Sequence, residues 1–142
     1  MTLTGDRRTE LLAGCPLFRG VGQDELAALA GVATEVEYAA GRPIVHQGEI
    51  GTGFFVIVEG QARVVRDAKT LATLGPGDFF GELSVLDGGP RIAQVVAETP
   101  TRCLALASWD FEQVLVANPS LALAILRGLA SRLRAVSVEP RQ

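Results

Sequence analysis

Three zones of hydrophobic patterning follow one another along the chain. Residues 4–33 read as helical. "TELLAG" is a short amphipathic segment ended by Gly14, and "CPLFRGVG" is a connector broken by Pro16, Gly20 and Gly22. "QDELAALAGVA" carries acids in its first turn and apolar residues at Leu26, Leu29 and Ala30, a helical spacing. Over residues 34–107 the pattern changes to short strands. "TEVEYAAG" alternates and turns at Gly41, "RPIVHQGE" gives a short strand, and "GFFVIVEG" is β-branched and aromatic between Gly53 and Gly60. "QARVVR" follows, "DAK" turns the chain, "TLATL" leads into the turn "GPGD", and "AQVVAE" and "TRCLALA" complete the set. Such short strands between glycine-rich turns predict a small closed β-barrel or sandwich.

From Ser108 the helical period returns. Ser108 or Asp110 is placed to cap "WDFEQVLVA", and Pro119 suits the first turn of a second helix from about Ser120 to Ser137. Ala122, Leu126, Leu129, Leu133 and Val136 form a heptad-like stripe along it, part of it expected in the core and part open to a second copy. Arg127, Arg132 and Arg134 lie toward its C-terminal half, where the helix dipole favours cations, and Pro140 marks its end. The expected fold class is α+β, mainly β. It is a small jelly-roll-like barrel with N-terminal helices and two C-terminal helices, one domain over 1–142 divided at 4–33, 34–107 and 108–138.

Composition narrows the function. With 142 residues, 48% of them hydrophobic, the chain can build one substantial core. A net charge of -3 and a pI near 5.1 supply no basic field for nucleic acid. Apolar runs such as Leu121 to Leu126 fall far short of a membrane span, and "MTLTGDRRTELLAG" lacks a signal-peptide core. A cytoplasmic location without membrane contact is therefore expected. Cys15 and Cys103 have no metal or redox spacing and are expected to be ordinary buried thiols. His46 has no partner at metal or triad spacing, and Trp109 is expected to pack its helix. No nucleophile–base pair, metal set or catalytic acid pair stands out, so neither an enzyme nor a cofactor is expected.

The stretch "FGELSVLDGGPRIAQV", residues 80–95, carries the chemistry. Gly81 lacks a Cβ, so a ligand can approach the backbone closely. Residues 82–86 suit a short helical turn whose first N–H groups favour an anion. Arg91 can close on the same anion with a forked, charge-assisted contact. Glu82 cannot bind an anion but can accept hydrogen bonds from a sugar hydroxyl, as acids do for ribose in dinucleotide sites. An anion plus a ribose hydroxyl, held by a barrel, describes a small phosphorylated nucleoside.

This stretch resembles the phosphate-binding cassette of cyclic nucleotide-binding domains, found in bacterial catabolite-activator regulators and in regulatory subunits of cAMP-dependent protein kinase. "FGEL", Ser84, "GGPR" and Ala93 stand where the family pattern puts them, and the Glu82–Arg91 spacing is similar to the kinase-subunit version. "GCPLFRGVGQDELAALA" resembles the helical lead-in. "GRPIVHQGEIGTGFFVIVEGQARVV" resembles the first strands, with glycines at 48, 53 and 60, and "LGPGDFFGEL" the approach to the cassette. The resemblance covers roughly residues 12–137 and implies a short cassette helix. It implies that Glu82 binds the ribose 2′-OH and Arg91 the cyclic phosphate. Backbone N–H groups of Gly81, Leu83, Ser84 and Ala93 would line the sugar-phosphate, with Val64, Phe80 and Leu83 as apolar walls. Two positions depart from the pattern. Ile92 stands where many members carry Ser or Thr, which disfavours cGMP. Val136-Ser137 keeps one of the two hydroxyls that touch the base in the bacterial regulators, leaving Arg132 or Arg134 as an alternative lid.

The expected function is a regulatory module that binds a cyclic nucleotide, cAMP before cGMP, and signals to an unknown effector through its last helix. Homodimerisation through helix 120–137 is part of that expectation. One alternative is a catabolite-activator-like transcription regulator lacking its DNA-binding domain, with no direct DNA binding by this chain. The other is a scaffold that has lost its nucleotide.

Overall fold

The computed structural model describes residues 3–49, 53–81 and 90–137. Helix α1 (Gly5–Ala13) is capped by Thr4, whose hydroxyl oxygen accepts from the Arg7 N–H at 3.1 Å. A 3-10 turn (Pro16–Phe18) and α2 (Gln23–Val32) complete the lead-in. Eight strands follow: β1 (Thr34–Tyr38), β2 (Pro43–Val45), β3 (Gly53–Glu59), β4 (Ala62–Arg66), β5 (Lys69–Leu74), β6 (Phe79–Phe80), β7 (Gln94–Ala97) and β8 (Thr101–Ala107). The chain then forms α3 (Ser108–Ala117) and α4 (Pro119–Ser137). The cassette helix expected at 82–86 lies outside the described residues.

The strands pair antiparallel into two four-stranded sheets, ordered β1-β8-β3-β6 and β2-β7-β4-β5, a jelly-roll arrangement. The run "GFFVIV", residues 53–58, is apolar throughout because β3 is covered on both faces. Phe54 and Val56, with Leu104 and Leu106 of β8, face the helices and join Phe18, Phe111 and Leu121 in one core. Ile57 and Cys103, one residue out of phase, face inward between the sheets with Phe80 and Val95. Phe18, Phe54 and Phe111 form an aromatic triangle with centroids 5.7–6.3 Å apart. On the other side of the sheet, Phe55 stacks on Phe80 at 5.1 Å and 17°.

Two local expectations are corrected. The residue capping α3 is Ala107, without a side-chain bond, because β8 runs directly into the helix. Ser108 is already helical, and Asp110 serves the first-turn dipole instead. Trp109 is 61% exposed and does not pack its helix into the core. Among the described side chains of α4 the buried ones are Leu121 and Ile125, with Leu129 packed against the same core, while Leu126 and Leu133 of the anticipated stripe are exposed. The Asn118–Pro119 break sets this phase. The Leu121 N–H donates to the Asn118 carbonyl at 2.9 Å, which turns Leu121 under the 3-10 turn and α3.

An ionic clamp ties the lead-in to the first sheet. Arg8 donates to the carbonyls of Ala30 (3.1 Å) and Ala33 (2.7 Å), satisfying the end of α2, and reaches Glu35 at 3.2 Å. Glu35 also accepts from the Leu3 N–H at 2.9 Å and lies 3.5 Å from Arg102.

Candidate ligand-binding site

The "GPGD" turn delivers the chain to the site. Asp78 accepts from the Gly75 N–H at 2.8 Å, and Gly77, at φ +89°, donates to the Ile57 carbonyl at 2.8 Å. This hangs the turn on β3 and lets β6 pair Phe80 with Phe55. Gly81 follows at φ +88°, a conformation that L side chains rarely adopt. A Cβ here would strike the Arg91 guanidinium and sit 2.9 Å from the Gly53 carbonyl oxygen. Among the described residues, Arg91 itself occupies the space that the missing side chain leaves.

Arg91 is 8% exposed. Its backbone N–H donates to the Glu49 carbonyl at 2.7 Å, and its carbonyl accepts from the Gly48 N–H at 2.8 Å. Its Nη2 donates to the Gly53 carbonyl at 2.6 Å. Backbone and side chain are thus held by the glycine-marked segments on either side of the undescribed residues 50–52. The guanidinium is fixed in direction before any ligand arrives.

Arg91 and Gly81 belong to the wall of a cavity of about 270 Å³ that opens to solvent on the second sheet's side of the core. Val64, Phe80, Ile92 and Ala93 share that wall, so six of the anticipated residues meet at one place. Glu82, Leu83 and Ser84 lie outside the described residues. Among the described residues no part of α4 lines the cavity. Arg134 is exposed, and the side chains of Arg132, Val136 and Ser137 lie outside the description.

The cavity also contains residues that the sequence reading did not single out: Val45, Arg66, Leu71, Leu74, Phe79 and Val95. Arg66 follows Val64 by two positions on β4, the spacing that shares a strand face, and this signal was available. Leu71 and Leu74 were not readable in that way, because residues three apart face opposite sides of a regular strand. The β4–β5 register shifts between Val64↔Ala72 and Val65↔Thr70, leaving Leu71 as the extra residue of a bulge. The bulge turns Leu71 toward the cavity that Leu74 also lines.

The other candidates stay apart from this site. His46 is exposed, and no group of three or more potential metal ligands exists among the described residues. Cys15 and Cys103 are buried in separate clusters, and burial pushes the Cys103 thiol up to about 12. No single described helix is long and apolar enough to cross a membrane.

Comparison with known proteins places the chain in a family. The model of the cyclic nucleotide-binding domain matches residues 35–118. The chain is 35% identical over 133 residues to a cyclic AMP receptor protein of Thermus thermophilus, covering 90% of this chain and 62% of that relative. It is 33% identical over 126 residues to a cyclic nucleotide-gated potassium channel of Rhizobium etli, covering 89% and 35% respectively. The chain thus spans less than two thirds of the length of these curated relatives. The N-terminal domain of a transcriptional regulator from Streptomyces coelicolor superposes with a TM-score of 0.85 at 33% identity, covering 93% of this chain and 99% of that one.

Proposed function

The chain belongs to the cyclic nucleotide-binding domain family, and from that membership we propose that it is a regulatory module whose ligand is cAMP in preference to cGMP. The observation that carries this reading is the buried Arg91 guanidinium, held to the Gly53 carbonyl beside Gly81 in the wall of an otherwise mostly apolar cavity. A buried cation with a fixed direction suits a compact anion, and the surrounding apolar wall suits a sugar and a flat ring. Glu82 would accept from the ribose 2′-OH, and the N–H groups of Gly81, Leu83, Ser84 and Ala93 would border the sugar-phosphate. Ile92 offers no hydroxyl to a guanine amino group, which favours adenine.

The protein's response to its ligand is a shift between arrangements, and the ligand biases it only by binding one arrangement better. We assign the output to α4 and to self-association through its outward residues Leu126 and Leu133.

Calorimetric titration of the nucleotide-stripped chain with cAMP is expected to show saturable one-to-one binding. Arg91→Ala is expected to weaken it by at least about 30-fold, since truncating one side of a buried charge pair costs ~2–5 kcal/mol. A parent chain silent at millimolar cAMP, or an Arg91→Ala variant that binds like the parent, overturns the assignment.

A further inference from the structure

We propose that Arg66 covers the nucleobase, reaching over the ring from the β4–β5 hairpin, and that a clasp between Gln47 and Asp67 holds it there. The inference rests on the cyclic nucleotide reading above and adds the residue that handles the base.

Burial gives the cavity a direction. Arg91, at 8% exposure, marks the inner end, whereas Leu71 and Ile92, at 58% and 71%, mark the rim. A ligand whose phosphate pairs with Arg91 points its base toward that rim. Leu71 and Ile92 supply apolar edges there, and Arg66 is the charged side chain beside them. Among the described residues no hydrogen bond or ion pair ties its side chain down; the neighbouring Arg63 is the one paired, with Glu98 at 3.1 Å. A planar guanidinium at an aromatic face gains from stacking and from the ring quadrupole.

The hairpin is built to hold this position. Its turn residues Asp67 and Ala68 both adopt positive φ, +51° and +66°, the primed geometry of a two-residue hairpin made here without glycine. Gln47 secures it reciprocally. Its Nε2 donates to Asp67 Oδ1 at 3.1 Å, and its Oε1 accepts from the Asp67 N–H at 3.2 Å. The next residue, Gly48, donates to the Arg91 carbonyl. One short segment therefore sets the distance between the arginine at the inner end and the arginine at the rim.

The test compares cAMP with ribose 3′,5′-cyclic phosphate, which lacks the base, by competition against a fluorescent cyclic nucleotide. Arg66→Ala is expected to weaken cAMP about 3- to 30-fold, the span from an exposed to a desolvated cation–π contact, and to leave the abasic ligand within about twofold. Gln47→Ala, a positioning change, is expected to give a smaller loss with the same dependence on the base. Cyclic UMP, with one ring, is expected to lose less than cAMP in Arg66→Ala. Equal losses for ligands with and without a base, or no loss for cAMP, overturn the proposal. Arg91→Ala must weaken both ligands alike. If it does and Arg66→Ala is silent, only the base contact falls; if the parent binds neither ligand, both readings fall.

Discussion

Replacing Gly81 by alanine perturbs the site at its tightest point. Two costs can be separated. The first is backbone: a Cβ at φ +88° costs about 1–2 kcal/mol. The second is steric. The added carbon meets the Arg91 guanidinium and approaches the Gly53 oxygen at 2.9 Å, and such overpacking costs about 1–3 kcal/mol. Gly20 isolates the first term, because it has nearly the same φ, +87°, with nothing within 4 Å of an added methyl. At roughly 3–5 °C per kcal/mol for a chain of this length, Gly81→Ala is expected to lower Tm by about 6–25 °C and Gly20→Ala by about 3–10 °C. Differential scanning calorimetry of the two variants reads the difference. The ligand titration supplies a second reading, since Gly81→Ala should push the guanidinium off the Gly53 carbonyl and weaken cAMP at least about tenfold. Gly20→Ala should leave binding unchanged. Equal melting temperatures for the two variants would refute the close packing of Arg91 over Gly81.

Other expectations follow from the core and the clamp. Phe111→Ala removes one ring of the aromatic triangle and should cost about 3–5 kcal/mol in urea unfolding. The Glu35 carboxyl is held below its ordinary value near 4.5, chiefly by the Leu3 N–H and then by Arg8 and Arg102, against an opposing effect of burial. Its stabilisation is therefore complete above about pH 4.5 and is lost as pH falls through the lowered value. A Glu35→Gln variant should show a flatter acid limb in Tm against pH, and identical limbs would count against the clamp. Because burial pushes the Cys103 thiol up to about 12, iodoacetamide at pH 8 should label it only after denaturation. Mass spectrometry of native and unfolded samples decides this.

The strands were legible because glycine and proline punctuate them and because β-branched runs have few other uses. The Gly53–Glu59 run was readable as a strand but not as one covered on both faces, which depends on the helices that fold over it. Periodicity gave the existence of α4 but not its phase. A heptad-like stripe and the Leu121–Ile125 face are both apolar, and the turn at Asn118 chooses between them. In the site, Gly81 and Arg91 were legible through spacing, whereas Leu71 depends on a bulge that no residue type announces. Trp109 was expected to pack its helix, yet the first turn of α3 carries it outward.

The two-faced strand β3 has a mechanical consequence. Phe55 leans on Phe80 at the cavity wall, and its neighbour Phe54 leans on Phe18 and Phe111 among the helices. Only a single peptide unit separates the two aromatic groups. Protein interiors compress little, so a push on Phe80 has almost no slack in which to dissipate. The sheet works as a diaphragm: what bears on its inner surface is felt on the outer one within the width of one strand, without any long relay of side chains.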